Sequence, residues 1–91
     1  MLLEIVSPEG HMFKGEVTVV TVPGVDGEFQ MLDNHANIVS ILNEGTVKIE
    51  ANSFADANYS SKLQLKDKQL VLPIKSGTLE MKDNRIIILV D

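Results

Sequence analysis

Apolar and polar residues alternate with a period of two along most of this chain. Leu3 and Ile5 flank Glu4; Val17, Val19 and Thr21 oppose Thr18, Val20 and Val22; Val47 and Ile49 alternate with Thr46, Lys48 and Glu50. Leu63 and Leu65, Leu70 and Leu72, and Leu79 and Met81 continue the theme between polar neighbours. A period of two places every second side chain on one face of an extended segment, so each of these reads as a short, half-buried strand. Turn formers separate them: Ser7-Pro8-Glu9-Gly10, Pro23-Gly24-Val25-Asp26-Gly27, Asn43-Glu44-Gly45, Ser76-Gly77 and Asp83-Asn84. Short strands broken by turns at about ten-residue spacing predict an all-β fold, a sandwich or barrel.

Three segments depart from simple alternation. In Ile38-Val39-Ser40-Ile41-Leu42 the apolar positions fit one helical turn or a buried strand equally well, and periodicity does not separate the two over so short a run. Residues 51–61 are rich in Asn, Ala, Ser and Asp and read as a polar loop or a weak edge strand. Ile86-Ile87-Ile88-Leu89-Val90 is apolar on both strand faces; such a strand is central between two layers or covered in part by a partner, and plain burial is the expectation.

Length and charge narrow the function. At 91 residues the chain suits one domain over 1–91, with no repeat, low-complexity tract or linker. Its net charge of −5, with the eight Lys and Arg scattered, argues against nucleic acid as the main partner, because phosphate-backbone binding needs a clustered basic surface. Only Lys62, Lys66, Lys68 and Lys75 lie near one another. There is no Cys, hence no disulfide and no thiolate metal site. Met1-Leu2-Leu3-Glu4 lacks the basic and long apolar regions of a signal peptide, and no stretch nears the ~20 apolar residues that cross a bilayer, so no direct membrane insertion is expected.

Catalytic patterns are missing. His11 and His35, the only imidazoles, lie in no metal-ligand spacing, and a surface or turn histidine making one hydrogen bond is the plain reading of each. Asp26 and Glu28 sit in a Gly-flanked loop where water solvates both; the functional rival is a loop presenting negative charge to a partner. No serine lies in Gly-x-Ser-x-Gly, and Gly24-Val25-Asp26-Gly27 lacks the Gly-Lys-Ser/Thr of a phosphate loop. Met1, Met12, Met31 and Met81 read as core fillers. The residues therefore point to a protein that binds other proteins and is not an enzyme in its own right, with no catalytic, cofactor or metal residue expected.

Specific residues carry this further. Ser7-Pro8-Glu9, Phe13-Lys14-Gly15, Val20-Thr21-Val22-Pro23-Gly24, Gly27-Glu28-Phe29, Leu32-Asp33-Asn34-His35-Ala36, Gly45 before Val47-Lys48-Ile49, Ser76-Gly77-Thr78-Leu79-Glu80 and Asp83-Asn84-Arg85 follow in order. In this order and spacing the chain resembles the N-terminal domain of the epsilon subunit of F-type ATP synthase, from Leu2 to Asp91. The resemblance implies a flattened antiparallel β-sandwich of about ten short strands. It further implies a non-catalytic central-stalk (rotor) subunit of the proton-translocating enzyme. Such a subunit binds the gamma subunit and the polar loops of the c-ring and helps couple proton flow to ATP synthesis.

Carried over position by position, Glu28 matches the acidic site that faces the c-ring, in the loop Gly24, Val25, Asp26, Gly27 and Glu28; His35-Ala36 matches the family's His-Ala motif on the gamma-facing side. Both loop glycines are expected to use positive φ. The departures are Asn37 for Pro after His-Ala, which loosens the backbone, Gln30 and Asp33 for the usual Gly and Pro, Thr78 for a second Gly, and a longer segment 51–69. Typical members continue into a C-terminal helical hairpin that binds ATP or extends to inhibit hydrolysis; this sequence stops at Asp91. The expectation is therefore no regulation by that route and no nucleotide binding. The expected location is the cytoplasmic face of a bacterial inner membrane, peripheral and held by protein partners. The alternative is a generic β-sandwich adaptor for some other protein.

Overall fold

A computed structural model describes residues Met1–Asp91. It contains no helix and eleven strands: β1 (Leu2–Ser7), β2 (Gly10–Glu16), β3 (Val19–Gly24), β4 (Gly27–Leu32), β5 (Ile38–Leu42), β6 (Gly45–Glu50), β7 (Asn58–Tyr59), β8 (Gln64–Lys66), β9 (Gln69–Ile74), β10 (Gly77–Lys82) and β11 (Arg85–Val90). The all-β reading is what the structure shows. The strands run β7-β2-β1-β11-β10-β5-β3-β6-β9-β8, with β4 on the free side of β3. The link between β5 and β3 is a single pair, Gly24 opposite Leu42, backed by the Asn43 N–H donating to the Pro23 carbonyl at 2.8 Å. There the sheet bends, and the two halves enclose one core.

That core holds 21 buried apolar side chains drawn from both halves, among them Leu3, Ile5, Phe13, Leu79, Ile86 and Ile88 on one side and Val20, Met31, Val47, Ile49 and Leu70 on the other. Their alternation with exposed neighbours is the period of two in the sequence, most cleanly in β10 and β11. One pairing departs from the antiparallel expectation. β1 runs parallel to β11, Leu3 opposite Ile86 and Ile5 opposite Ile88, while every other pair is antiparallel. Strand direction leaves no mark on a hydrophobic pattern, which explains the difference.

Two turns set tight reversals. Lys82 pairs with Arg85 and Lys66 with Gln69, and the two residues between each pair (Asp83 and Asn84, Asp67 and Lys68) all have positive φ, from 49° to 69°. This is the backbone that two-residue hairpins prefer, since it matches the twist of the strands. The polar segment 51–61 proves to be a loop ending in the two-residue edge strand β7. Phe13, Phe54 and Tyr59 pack ring on ring there, with centroids 6.3 to 6.4 Å apart, and hold the loop to the core.

Both apolar segments left open by the pattern are strands with two distinct faces. In β5, Leu42 is buried while Val39 and Ile41 are exposed. In β11, Ile86, Ile88 and Val90 are buried, whereas Ile87 and Leu89 are not. Plain burial of 86–90 is thus corrected: β11 is central within its sheet, between β1 and β10, but only one of its faces meets the other layer.

Candidate functional site

The β3–β4 hairpin presents the acidic loop. Gly24 pairs with Gly27, leaving Val25 and Asp26 at the tip, and Val25, Asp26, Gly27 and Glu28 are all exposed. The two glycines serve different ends. Gly27 has φ +119°, a backbone that side-chain-bearing residues rarely take. Gly24 is not in that region, contrary to the expectation for both; a Cβ on it would lie 2.7 Å from the Phe29 ring, so close packing demands the glycine. Glu28 is not a free charge. Its carboxylate accepts from the Lys48 ammonium on β6 at 3.3 Å, an exposed pair.

His35 and Ala36 lie at the opposite end of the same hairpin. Leu32, opposite Val19, closes β4, and the His35 N–H donates to the Leu32 carbonyl at 3.1 Å in the exposed turn that follows. Five ladder steps separate this end from the Gly24–Gly27 end, about 17 Å at ordinary strand rise, so the structure does not gather the two groups into one site. The turn is tied to the β10–β11 hairpin: the Asn34 N–H donates to Asn84 Oδ1 at 2.8 Å, and Asn37 Oδ1 accepts from the Asp83 N–H at 3.1 Å. Asn37 therefore anchors the backbone it was expected to loosen. Next to it, the Met1 ammonium bonds Asp33 and the Val17 carbonyl and pairs with Glu16 at 3.4 Å. Burial pushes this ammonium down, but hydrogen bonds and charge from Asp33 and Glu16 outweigh it and leave the pKa above the ordinary 8.0.

From the His-Ala turn the chain enters β5 and a surface that sequence reasoning missed. Val39 lies opposite Glu80, which lies opposite Ile87; Ile41 lies opposite Thr78, which lies opposite Leu89. Directly opposed residues share a face, so Val39 (76% exposed), Ile41 (63%), Ile87 (43%) and Leu89 (51%) form two parallel rows on the outside of β5, β10 and β11. Val6 of β1 extends the second row beside Leu89. The signal was present in the two segments whose apolar residues exceeded what one face of a strand can bury. No group of three or more His, Cys, Asp or Glu side chains is placed to hold a metal.

Comparison with known proteins follows the same lines. The family model described as "ATP synthase, Delta/Epsilon chain, beta-sandwich domain" matches residues 1–91, the whole of the sequence. The chain belongs to this family. Among curated relatives, an ATP synthase epsilon chain of Campylobacter fetus is 36% identical over 89 residues, covering 98% of this chain and 59% of the relative. One of Nitratiruptor is 52% identical over 48 residues, covering 53% and 37%. The chain thus spans between about a third and three-fifths of the length of the curated relatives it matches. A chain from the structure "Euglena gracilis mitochondrial ATP synthase, OSCP/F1/c-ring in rotational state 1" superposes with a TM-score of 0.78 at 20% identity, covering 99% of this chain and 49% of that one. A second, from the central stalk and c-ring structure of the Tetrahymena thermophila enzyme, gives 0.69 at 14%, covering 99% and 62%. At those identities the likeness is one of fold. The epsilon-type β-sandwich is thereby the fold of this family member.

Proposed function

We propose that this domain is a non-catalytic rotor component of a proton-translocating F-type ATP synthase, seated between a gamma-type stalk subunit and the polar loops of a c-ring. The observation that carries this reading is the separation of two unlike surfaces on one rigid sandwich. The outer face of β5, β10 and β11 exposes Val39, Ile41, Ile87 and Leu89 on its two flanking strands with Thr78 and Glu80 of β10 between them, a mixed patch with large exposed apolar side chains of the kind that marks a protein interface. It follows directly from His35 and Ala36, and a gamma-type subunit is the partner assigned to it. The β3–β4 tip is polar, acidic and narrow, suited to a loop-on-loop contact in which charge sets orientation more than affinity.

A linker between moving parts has to transmit force without deforming. The core of 21 apolar residues and the hydrogen bonds that tie the His-Ala turn to the β10–β11 hairpin meet that need. On this reading the chemistry of ATP synthesis belongs to other subunits, and the domain works at the cytoplasmic face of a bacterial inner membrane, held by protein contacts.

The test is co-elution with the gamma subunit of the same organism on a sizing column. The unaltered chain is expected to form a complex at micromolar concentration. Ile41→Asp, placed where the side chain is already exposed, should stay folded and lose it. A complex that survives Ile41→Asp and Leu89→Asp together would remove this face from the interface, and no complex at all from two folded proteins would refute the assignment.

A further inference from the structure

On the outside of the other half-sheet, away from the β5–β10–β11 face and adjoining the β3–β4 tip through the Glu28–Lys48 pair, lies a cleft of about 350 Å3 lined by Thr46, Lys48, Lys62, Gln64, Lys66, Val71 and Pro73. Three of the chain's eight cationic side chains line it, together with a hydroxyl and an amide, and no acid does. The fold explains the convergence. Lys48 of β6 lies opposite Val71 of β9, which lies opposite Gln64 of β8, and Lys66 follows Gln64 two positions on. Strands separated in sequence thus bring ammoniums to one face that no local motif would show.

Three ammoniums around one depression repel one another, and an anion seated among them relieves that repulsion. The carboxylates within reach are borrowed from the rim. Glu28 of β4 meets Lys48 at 3.3 Å and Glu9 of the β1–β2 turn meets Lys62 at 3.2 Å. Both are exposed pairs, of the kind that exchange readily for a stronger anion. Glu50 at the edge is engaged by the Gln69 amide at 3.1 Å. Lys66 has no carboxylate within ion-pair distance.

We propose that this cleft binds a multivalent phosphate group, the three ammoniums holding its oxygens while the Thr46 hydroxyl and Gln64 amide add neutral hydrogen bonds. A compact dianion suits the volume and the donor set. No aromatic ring lines the cleft, so it reads charge and not a base. The same chemistry is offered by a free phosphate compound and by the headgroup of an anionic phospholipid, and the experiment separates them.

Inorganic pyrophosphate is titrated into the labelled protein at low ionic strength, with backbone amide shifts as the readout. Saturable shifts confined to residues 46–50 and 62–73 are expected. In the variant Lys48→Gln, Lys62→Gln, Lys66→Gln, checked for its fold by circular dichroism, the affinity should drop by about tenfold or more, with a flatter salt dependence. Lys14→Gln with Lys82→Gln, remote from the cleft, should leave it within about twofold, the scale on which a diffuse change in net charge acts across a screened surface.

Vesicles containing phosphatidylglycerol are then sedimented with the same proteins. Vesicle binding lost in the triple variant makes the ligand a lipid headgroup, and pyrophosphate binding without vesicle binding makes it a free phosphate compound. Shifts that never saturate, or that fall equally in the triple and the remote variants, overturn the proposal.

Discussion

Ile88 and Leu89 are neighbours on one strand and should answer mutation in opposite ways. Ile88 is fully buried, paired with Ile5 on one side and Leu79 on the other, both themselves buried. Ile88→Ala removes three carbons from a site walled by strands on both sides and by the opposite layer in front, so the cavity has little freedom to collapse. Such truncations cost about 2–5 kcal/mol, and the enclosed setting places this one at about 3–4. Against a total of about 5–14 kcal/mol for a domain of this size, that is a large fraction. Leu89 is 51% exposed, so Leu89→Ala on the isolated domain should cost about 1 kcal/mol or less. Urea unfolding followed by far-UV circular dichroism measures both, and an unchanged m-value shows that the midpoints report stability. A midpoint unmoved by Ile88→Ala, or equal shifts from both variants, would refute the assignment of faces on β11 and with it the apolar outer surface.

Two other outcomes are accessible to the same assay. Glu28→Gln removes one partner of the exposed Glu28–Lys48 pair and should change stability by less than about 1 kcal/mol. If Glu28 faces a c-ring, the variant should still weaken docking to c-ring loops; a large unfolding shift would instead make Glu28 structural. The Met1 ammonium has a raised pKa in the folded state, so its contribution is fully present below the unfolded value near 8 and is lost as pH rises through the higher folded value. Stability should therefore decline as pH rises from about 8 through the higher folded value, and Asp33→Asn should flatten that decline. An identical decline in the variant would show that the ammonium owes nothing to Asp33.

Much of the fold was legible because the alternation of Leu79 and Met81, or Val47 and Ile49, has only one reading on a half-buried strand. The turns were legible for a like reason: the Asp83-Asn84 pair and Gly27 sit where positive φ is required. What escaped was whatever depends on three dimensions. The pattern of 86–90 gives two apolar faces, but what lies beyond each face is decided by the partner layer, and the expected burial failed for Ile87 and Leu89. The role of Asn37 was invisible because its hydrogen-bond partner, Asp83, is 46 residues away. The lysine cleft was half visible, since Lys62 and Lys66 are near in sequence, but Lys48 joins them only through the β6–β9–β8 register.

The parallel pairing of β1 with β11 bears on how the domain is made. Within the domain, β1 has to wait for β11 before both its neighbours are in place, since it lies between β2 and β11. Until then β1 and β10 each expose an unpaired edge next to apolar side chains, the arrangement most prone to sticking to another chain. Closure joins residues more than eighty positions apart, Leu2 with Arg85 and Val6 with Leu89, and contacts of such span slow folding. Assembly of this domain should therefore wait until β11 is available to pair. A chain released short of β11 would be a substrate for chaperones or proteases, with no half-built sandwich able to stand in for the whole.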